Sequence, residues 1–160
     1  MPTMTLESPT ELLHYQLRTA LTMEHDSLAA LGELAAAAKS AEVKKMFKHH
    51  AEETKEQIEN LHKVFGLLEF KETSAPSPST KGITKQAESL IDKAAAKLRD
   101  QVVLSCALGN EHYEISAYQA LIIPAQAMGA SDVVALLTAN LDQETHTSEE
   151  LKTMLEKIAG

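Results

Sequence analysis

The sequence predicts an all-α fold: a four-helix bundle with a long crossover that carries a short extra helix. Three observations predict it. Ala, Leu, Glu and Lys, which lose little on entering a helix, dominate the 160 residues, whereas Gly and Pro number only 6 and 5. Four long stretches carry apolar side chains three or four residues apart, the spacing of one buried helical face. Between the second and third of them stands the one breaker-rich segment. The connection there, of about 25 residues, is long enough to climb a bundle of about 40 Å.

The first helix opens at Ser8-Pro9-Thr10-Glu11, with Ser as cap, Pro in the first helical position and Glu three residues beyond the cap. It is expected over about 9–38. Its stripe of Leu13, Leu17, Leu21, Leu28 and Leu31 passes over Glu24. Ser40-Ala41-Glu42-Val43 restarts a helix after a very short turn, which makes the second helix, about 41–69, an antiparallel neighbour of the first. Met46, Phe47, Ile58, Leu61, Phe65 and Leu68 are its apolar positions, and counting back from Leu61 brings Gln57, Glu53 and His50 onto the same face.

Residues from about 70 to 83 read as the linker, because Ser, Pro, Thr and Gly crowd together there. A short helix is expected over about 84–95 around Leu90 and Ile91, and Lys93 to Leu98 reads equally as a break or a continuation. The third long helix, about 97–128, has Leu104, Leu108, Ile115, Tyr118 and Ile122 on one face, with Glu111 and Glu114 among them. Pro124 should kink it near its end. Gly129 closes it, and Ser131 caps the last helix, about 131–158. There Val134, Leu137, Leu141, Leu151 and Leu155 are in register, with Glu144 and Ser148 filling the missing positions. The whole chain, 1–160, reads as one domain.

Charge and composition exclude several functions. A net charge of −8 without clustered Lys and Arg argues against nucleic acid as a partner. No apolar run approaches the roughly 20 residues of a membrane span. Residues 1–8 lack a basic region followed by an apolar run, so no secretory signal is expected and the cytoplasm is the expected compartment. Cys106 is the sole cysteine, which removes disulfides and Cys-based zinc sites and leaves it the role of a small buried hydrophobe.

Each long helix is interrupted on its apolar face near the midpoint: by Glu24, by His50 with Glu53, by Glu111 with Glu114, and by Glu144. In a bundle, residues at mid-length share one height, so five carboxylates and an imidazole should converge. Such charges repel and raise one another's pKa unless cations join them, and no matching inward Lys or Arg is present. Two metal ions are the economical answer. Carboxylates with few imidazoles suit iron, with manganese the other candidate. Glu111 and Glu53 are assigned as bridges, with Glu24 and Glu144 terminal. The competing reading has the inward Glu residues protonated or hydrogen-bonded to Tyr113, Tyr118 and Gln57. The chain departs from the paired Glu-x-x-His signature of bundle di-iron sites: Glu56 follows Glu53 by three, and Thr147 follows Glu144. His112 and His146 are offset from the inward faces, and His14, His25, His49 and His62 fall on exposed or flanking ones.

The stretch from Phe47 to Phe65, with His50, Glu52-Glu53-Thr54 and Gln57-Ile58-Glu59, and the run Glu111-His112-Tyr113-Glu114-Ile115 with Ala117-Tyr118, resemble the YciF/YciE family of ferritin-like bacterial stress proteins. Glu24 and Leu136-Leu137, Leu141 and Glu144 echo it more weakly. The resemblance implies a ferritin-like fold with an extra short helix, a homodimer, and a carboxylate-rich di-metal site on Glu24, His50, Glu53, Glu111, Glu114 and Glu144. The last helix departs from it: Asp142-Gln143-Glu144 and Thr147-Ser148 stand where the family tends to show Glu-Glu-Glu and Thr-Asp, so a ligand from an acidic residue at the position of Ser148 is lost. The function expected is a stress-associated di-iron protein that binds or oxidises Fe(II) or reacts with peroxide. The alternative is a structural or interaction protein without catalytic metal.

Overall fold

The computed structural model describes residues 5–160, so the first half of the 1–8 segment lies outside the described residues. Five helices follow in order: α1 (Pro9–Ala37), α2 (Ala41–Leu68), α3 (Pro78–Lys93), α4 (Arg99–Ala127) and α5 (Ser131–Ala159), with a 3-10 turn at Ala96–Leu98 leading into α4. Local chemistry sets their ends. Ser8 Oγ accepts from the Glu11 amide at 3.1 Å and Ser40 Oγ from the Val43 amide at 3.2 Å, each satisfying a donor that the first helical turn leaves without a partner. Asp100 on α4 accepts from the Lys39 and Ser40 amides at 2.6 and 3.1 Å, which ties the α1–α2 turn to the start of α4. Gly129, at φ +69°, makes the left-handed turn between α4 and α5.

α3 begins at Pro78, earlier than the expected start near 84. The residues read as linker are themselves a helix start: Pro78 occupies the first turn, and Thr80 Oγ1 is shared among Ser77 O (3.1 Å), Ser77 Oγ (2.7 Å) and Asp26 Oδ2 (2.9 Å) on α1. Lys93 to Leu98 proves to be a break, with Ala94 and Ala95 extended. The linker that remains lies along α1. His14, Arg18, Thr22 and Thr19 bond the carbonyls of Lys71, Ser74, Ala75 and Pro76, and the Ala75 amide donates to Arg18 O. α4 runs through Pro124 for one further turn.

Two aliphatic layers form the core. One joins Leu13, Leu17 and Leu21 of α1 to Leu61 and Phe65 of α2, Tyr118 and Leu121 of α4, and Val133 and Leu137 of α5. The other joins Leu31 and Leu34 to Val43 and Phe47, Val103 and Leu104, and Leu151 and Met154. The start of α1 therefore packs with the end of α4, and the start of α2 with the start of α4. α1 runs antiparallel to α2 and α4, and α2 runs parallel to α4, which is why a long crossover is needed. α3, on that crossover, packs on α4 and α1.

The two hairpins repeat. Pro9 and Arg99 open α1 and α4, and Ala41 and Ser131 open α2 and α5, an offset of ninety residues in both cases. Under it the buried faces coincide: Val43, Phe47 and Leu61 fall on Val133, Leu137 and Leu151, and Glu24 falls on Glu114. Between the aliphatic layers lies a polar one.

The Asp100 contact is charge-assisted but half-exposed, so Asp100→Ala should cost about 1 kcal/mol in urea unfolding followed by circular dichroism. Asp100→Asn, which keeps an acceptor, should cost less.

Candidate metal centre

Glu24, Glu111, Glu114 and Glu144 are all at least 96% buried in the polar layer. Glu24, Glu111 and Glu114 have the core residues Ala20, Ala107 and Tyr118 one turn away, and Glu144 lies two turns from Leu137 and Leu151, so the burial of each is imposed by the periodicity of its own helix. Ligand oxygens of Glu24, Glu114 and Glu144 lie within 4.8 Å of one another. Glu144 stands against Glu111 as well as Glu114, and Glu111 also feels Glu24 and Glu53.

Hydrogen bonds hold this group from outside. Tyr118 OH donates to Glu24 Oε1 at 2.5 Å and accepts from Asn140 Nδ2 at 3.1 Å. Asn140 also donates to Gln57 O and accepts from Asn60 Nδ2 at 2.8 Å, so both of its polar atoms are used. Asn110 Nδ2 donates to Ser27 Oγ at 3.2 Å, and Ser27 in turn stands against Glu114. On the inner side Glu24 Oε2, Glu111 Oε2 and Glu114 Oε1 are buried without a hydrogen-bond partner. Buried carboxylate oxygens left so incur a desolvation cost that protonation or a cation relieves.

The electrostatics agree. Burial raises the Glu24 carboxyl from 4.5 to about 8, opposed by the Tyr118 hydrogen bond. Burial is also the largest cause of the rise well above the usual range at Glu111, Glu114 and Glu144, and the neighbouring carboxylates add to it. The converging oxygens of Glu24, Glu114 and Glu144 form an all-oxygen set that could hold a metal ion.

The structure treats the other expected residues differently. His50 is buried, but its Nδ1 donates to Glu53 Oε1 at 3.1 Å and lies 3.3 Å from Thr147 Oγ1, while its Nε2 faces Glu150 Oε2 at 3.7 Å. Burial lowers its pKa, against the raising influence of Glu53 and Glu150. Glu53 is at the margin, 15% exposed, near enough to raise Glu111 and bonded also by His49 Nε2 at 3.2 Å. His112 and His146 are exposed, as their offset from the inward face requires. Cys106 is half-buried rather than fully buried, because it borders a cavity of about 40 Å³ between α1, α3 and α4 that reaches Glu111. Sequence reasoning missed Asn140, although its spacing was visible: three residues after Leu137 and four before Glu144. It also missed Ser27, Asn110 and Glu150.

The sequence profile of the family described as "Domain of unknown function (DUF892)" matches residues 8–160. The chain belongs to this family. Protein YciF of Escherichia coli (strain K12) is 26% identical to it over 150 residues, 92% of this chain and 90% of YciF, in line with the resemblance its motifs carry. Among solved structures, YcfI of Rhodopseudomonas palustris superposes with a TM-score of 0.90 at 30% identity, covering 96% of this chain and 98% of its own. The E. coli stress protein YciF gives 0.92 at 24% identity over the same shares of the two chains. Symerythrin of Cyanophora paradoxa gives 0.68 at 23% identity, over 100% of this chain and 90% of its own. The fold of this DUF892 chain is ferritin-like.

A raised carboxyl pKa stabilises the folded state most below the unfolded value and is lost as pH climbs through the folded one. The metal-free protein should therefore melt at progressively lower temperature between about pH 4.5 and about pH 8, the window set by Glu24. Mn(II) should oppose that fall by replacing protons on the carboxylates. A melting temperature flat across the window would show that the cluster does not titrate with folding.

Proposed function

We propose that this chain is a stress-associated ferritin-like protein, folded as one domain in the cytoplasm, whose buried cluster holds two iron ions, with manganese as the alternative. Glu24, Glu111, Glu114 and Glu144 supply the ligands, and Glu53 reaches toward them from α2. The observation that carries the reading is the convergence of ligand oxygens of Glu24, Glu114 and Glu144 within 4.8 Å of one another, in a layer where Glu24 Oε2, Glu111 Oε2 and Glu114 Oε1 are buried without a hydrogen-bond partner. Iron bound there would supply one-electron chemistry toward dioxygen or peroxide. The chain's own residues orient the ligands: Tyr118 fixes one oxygen of Glu24, Asn140 fixes Tyr118, and Ser27 steadies Glu114. The aliphatic layers above and below exclude bulk water, which strengthens any charge interaction within.

Anaerobic titration of the metal-free protein with Fe(II) or Mn(II) tests this. The wild type should bind, and Glu144→Gln and Glu111→Gln should each weaken binding at least about tenfold, since mere partners of ligands are worth that much. Equal binding by wild type and both variants would sink the metal reading and favour the structural one. In that case Glu144→Leu would leave stability unchanged or raised, as when apolar groups replace buried charges.

The homodimer is a further part of the proposal. The groove between α1 and α4, lined by Tyr15, Ala20, Tyr113, Ala117 and Leu121, offers an apolar surface for a second copy. Analytical ultracentrifugation should give twice the 17.4 kDa chain mass, and Ala117→Glu should return a monomer.

A further inference from the structure

The polar layer has two ends related by the ninety-residue repeat, and they are built differently. At one, Asn140, Gln143, Glu56 and Asn60 meet across α2 and α5. Asn60 Nδ2 donates to Asn140 Oδ1, Asn140 Nδ2 to Tyr118 OH and Gln57 O, and Gln143 Nε2 to Glu56 Oε2 at 3.0 Å. That end is closed by amides. At the corresponding positions of the other end stand His50, Glu53, His146 and Glu150.

There the bonding is incomplete. His50 is 98% buried and its Nε2 has no hydrogen-bond partner. Its Nδ1 lies 3.1 Å from Glu53 Oε1, and a carboxylate only accepts, so in the neutral ring the proton sits on Nδ1 and the Nε2 lone pair is available. That Nε2 is 3.7 Å from Glu150 Oε2, too long for a hydrogen bond. The other oxygen, Glu150 Oε1, is 2.8 Å from His146 Nε2. Two imidazole nitrogens thus address the two oxygens of one carboxylate. Two ligand atoms each about 2.1 Å from a tetrahedral ion stand about 3.4 Å apart, close to the His50–Glu150 gap, whereas the His146–Glu150 contact at 2.8 Å is a hydrogen bond that the ion would replace as His146 swings toward His50.

We propose that His50 Nε2, His146 and Glu150 form a mononuclear site for a divalent transition ion of the zinc class at the solvent-facing seam of α2 and α5, distinct from the buried carboxylate cluster. Glu53 is the positioning residue: by holding His50 Nδ1 it fixes tautomer and ring direction, as carboxylates do behind metal-bound histidines. His146 and Glu150 are one turn apart on α5, and their side chains, 69% and 37% exposed, can re-aim to admit the ion. Two imidazoles and one carboxylate suit zinc-class ions, whereas the buried cluster is all oxygen.

Equilibrium dialysis with Zn(II), and Co(II) absorption in the visible region, test the site on the full chain. His146→Ala and Glu150→Gln should each weaken one Zn(II) per chain by about 10- to 100-fold and remove the imidazole-ligated Co(II) bands. Glu144→Gln should leave those bands in place. Nitrogen-15 NMR of the wild type should show His50 Nε2, not Nδ1, shifting on Zn(II) addition. Unchanged Zn(II) affinity in His146→Ala, an equal loss in the exposed control His112→Ala, loss of the bands in Glu144→Gln, or a silent His50 Nε2 would each overturn the proposal. The proposal stands even if the carboxylate cluster binds no ion, because its readouts follow imidazole nitrogens alone.

Discussion

Everything in this bundle is arranged around the cost of keeping four carboxyl groups in one dry layer. Burial alone raises all four, and each raises its neighbours further, so the metal-free layer is neutral only while it holds protons. The fold answers by placing the layer between two aliphatic clusters that supply the compensating apolar burial. It also restricts donors to the rim, where Tyr118 and Asn110 close the network without reaching the inner oxygens. A layer meant only to specify packing has no use for partnerless oxygens, since amides in their place would bond one another, as Gln57 and Gln143 do at 3.1 Å.

The ninety-residue repeat shows which features are inherited from the architecture and which are particular. Glu24 and Glu114 are equivalent, so each hairpin offers one carboxylate from its first helix. The second helices differ: Glu144 of α5 corresponds to Thr54 of α2, and Thr147 to Gln57. The cluster is therefore weighted toward α4 and α5, with Glu111 on α4 facing Leu21 in the repeat. An evenly shared pair of metal positions would need a carboxylate at Thr54, and Glu53 next to it divides itself between His49 and His50, which it bonds, and Glu111, whose pKa it raises.

Much of this was legible in the sequence. Helical class, the four long helices and the inward direction of Glu24, Glu111, Glu114 and Glu144 all follow from periodicity, since each has core residues one or two turns away on its own stripe. The start of α3 was not, because Ser77-Pro78-Ser79-Thr80 serves both linker and helix-start chemistry, and only Asp26 on another helix decides between them. His50 marks a deeper limit. Periodicity turns its Cα inward correctly, but which ring nitrogen faces which neighbour depends on Glu53 and Glu150, and the second of these lies on α5. Asn140 was legible and overlooked, being an amide among more conspicuous acids.

The crossover also decides from which side the layer is approached. Because α2 and α4 are parallel, the chain between them traverses the length of the bundle, and α3 comes to lie on α1 and α4, anchored by Thr80 and Lys81 to Asp26. Behind it the space narrows to the small cavity at Glu111. The seam of α2 and α5 has no such cover, and there the polar layer grades outward through Glu53 and His50 to Glu150 and His146. One topological necessity, the parallel pair, thus leaves the layer with a polar border on one face and an apolar cover on the other.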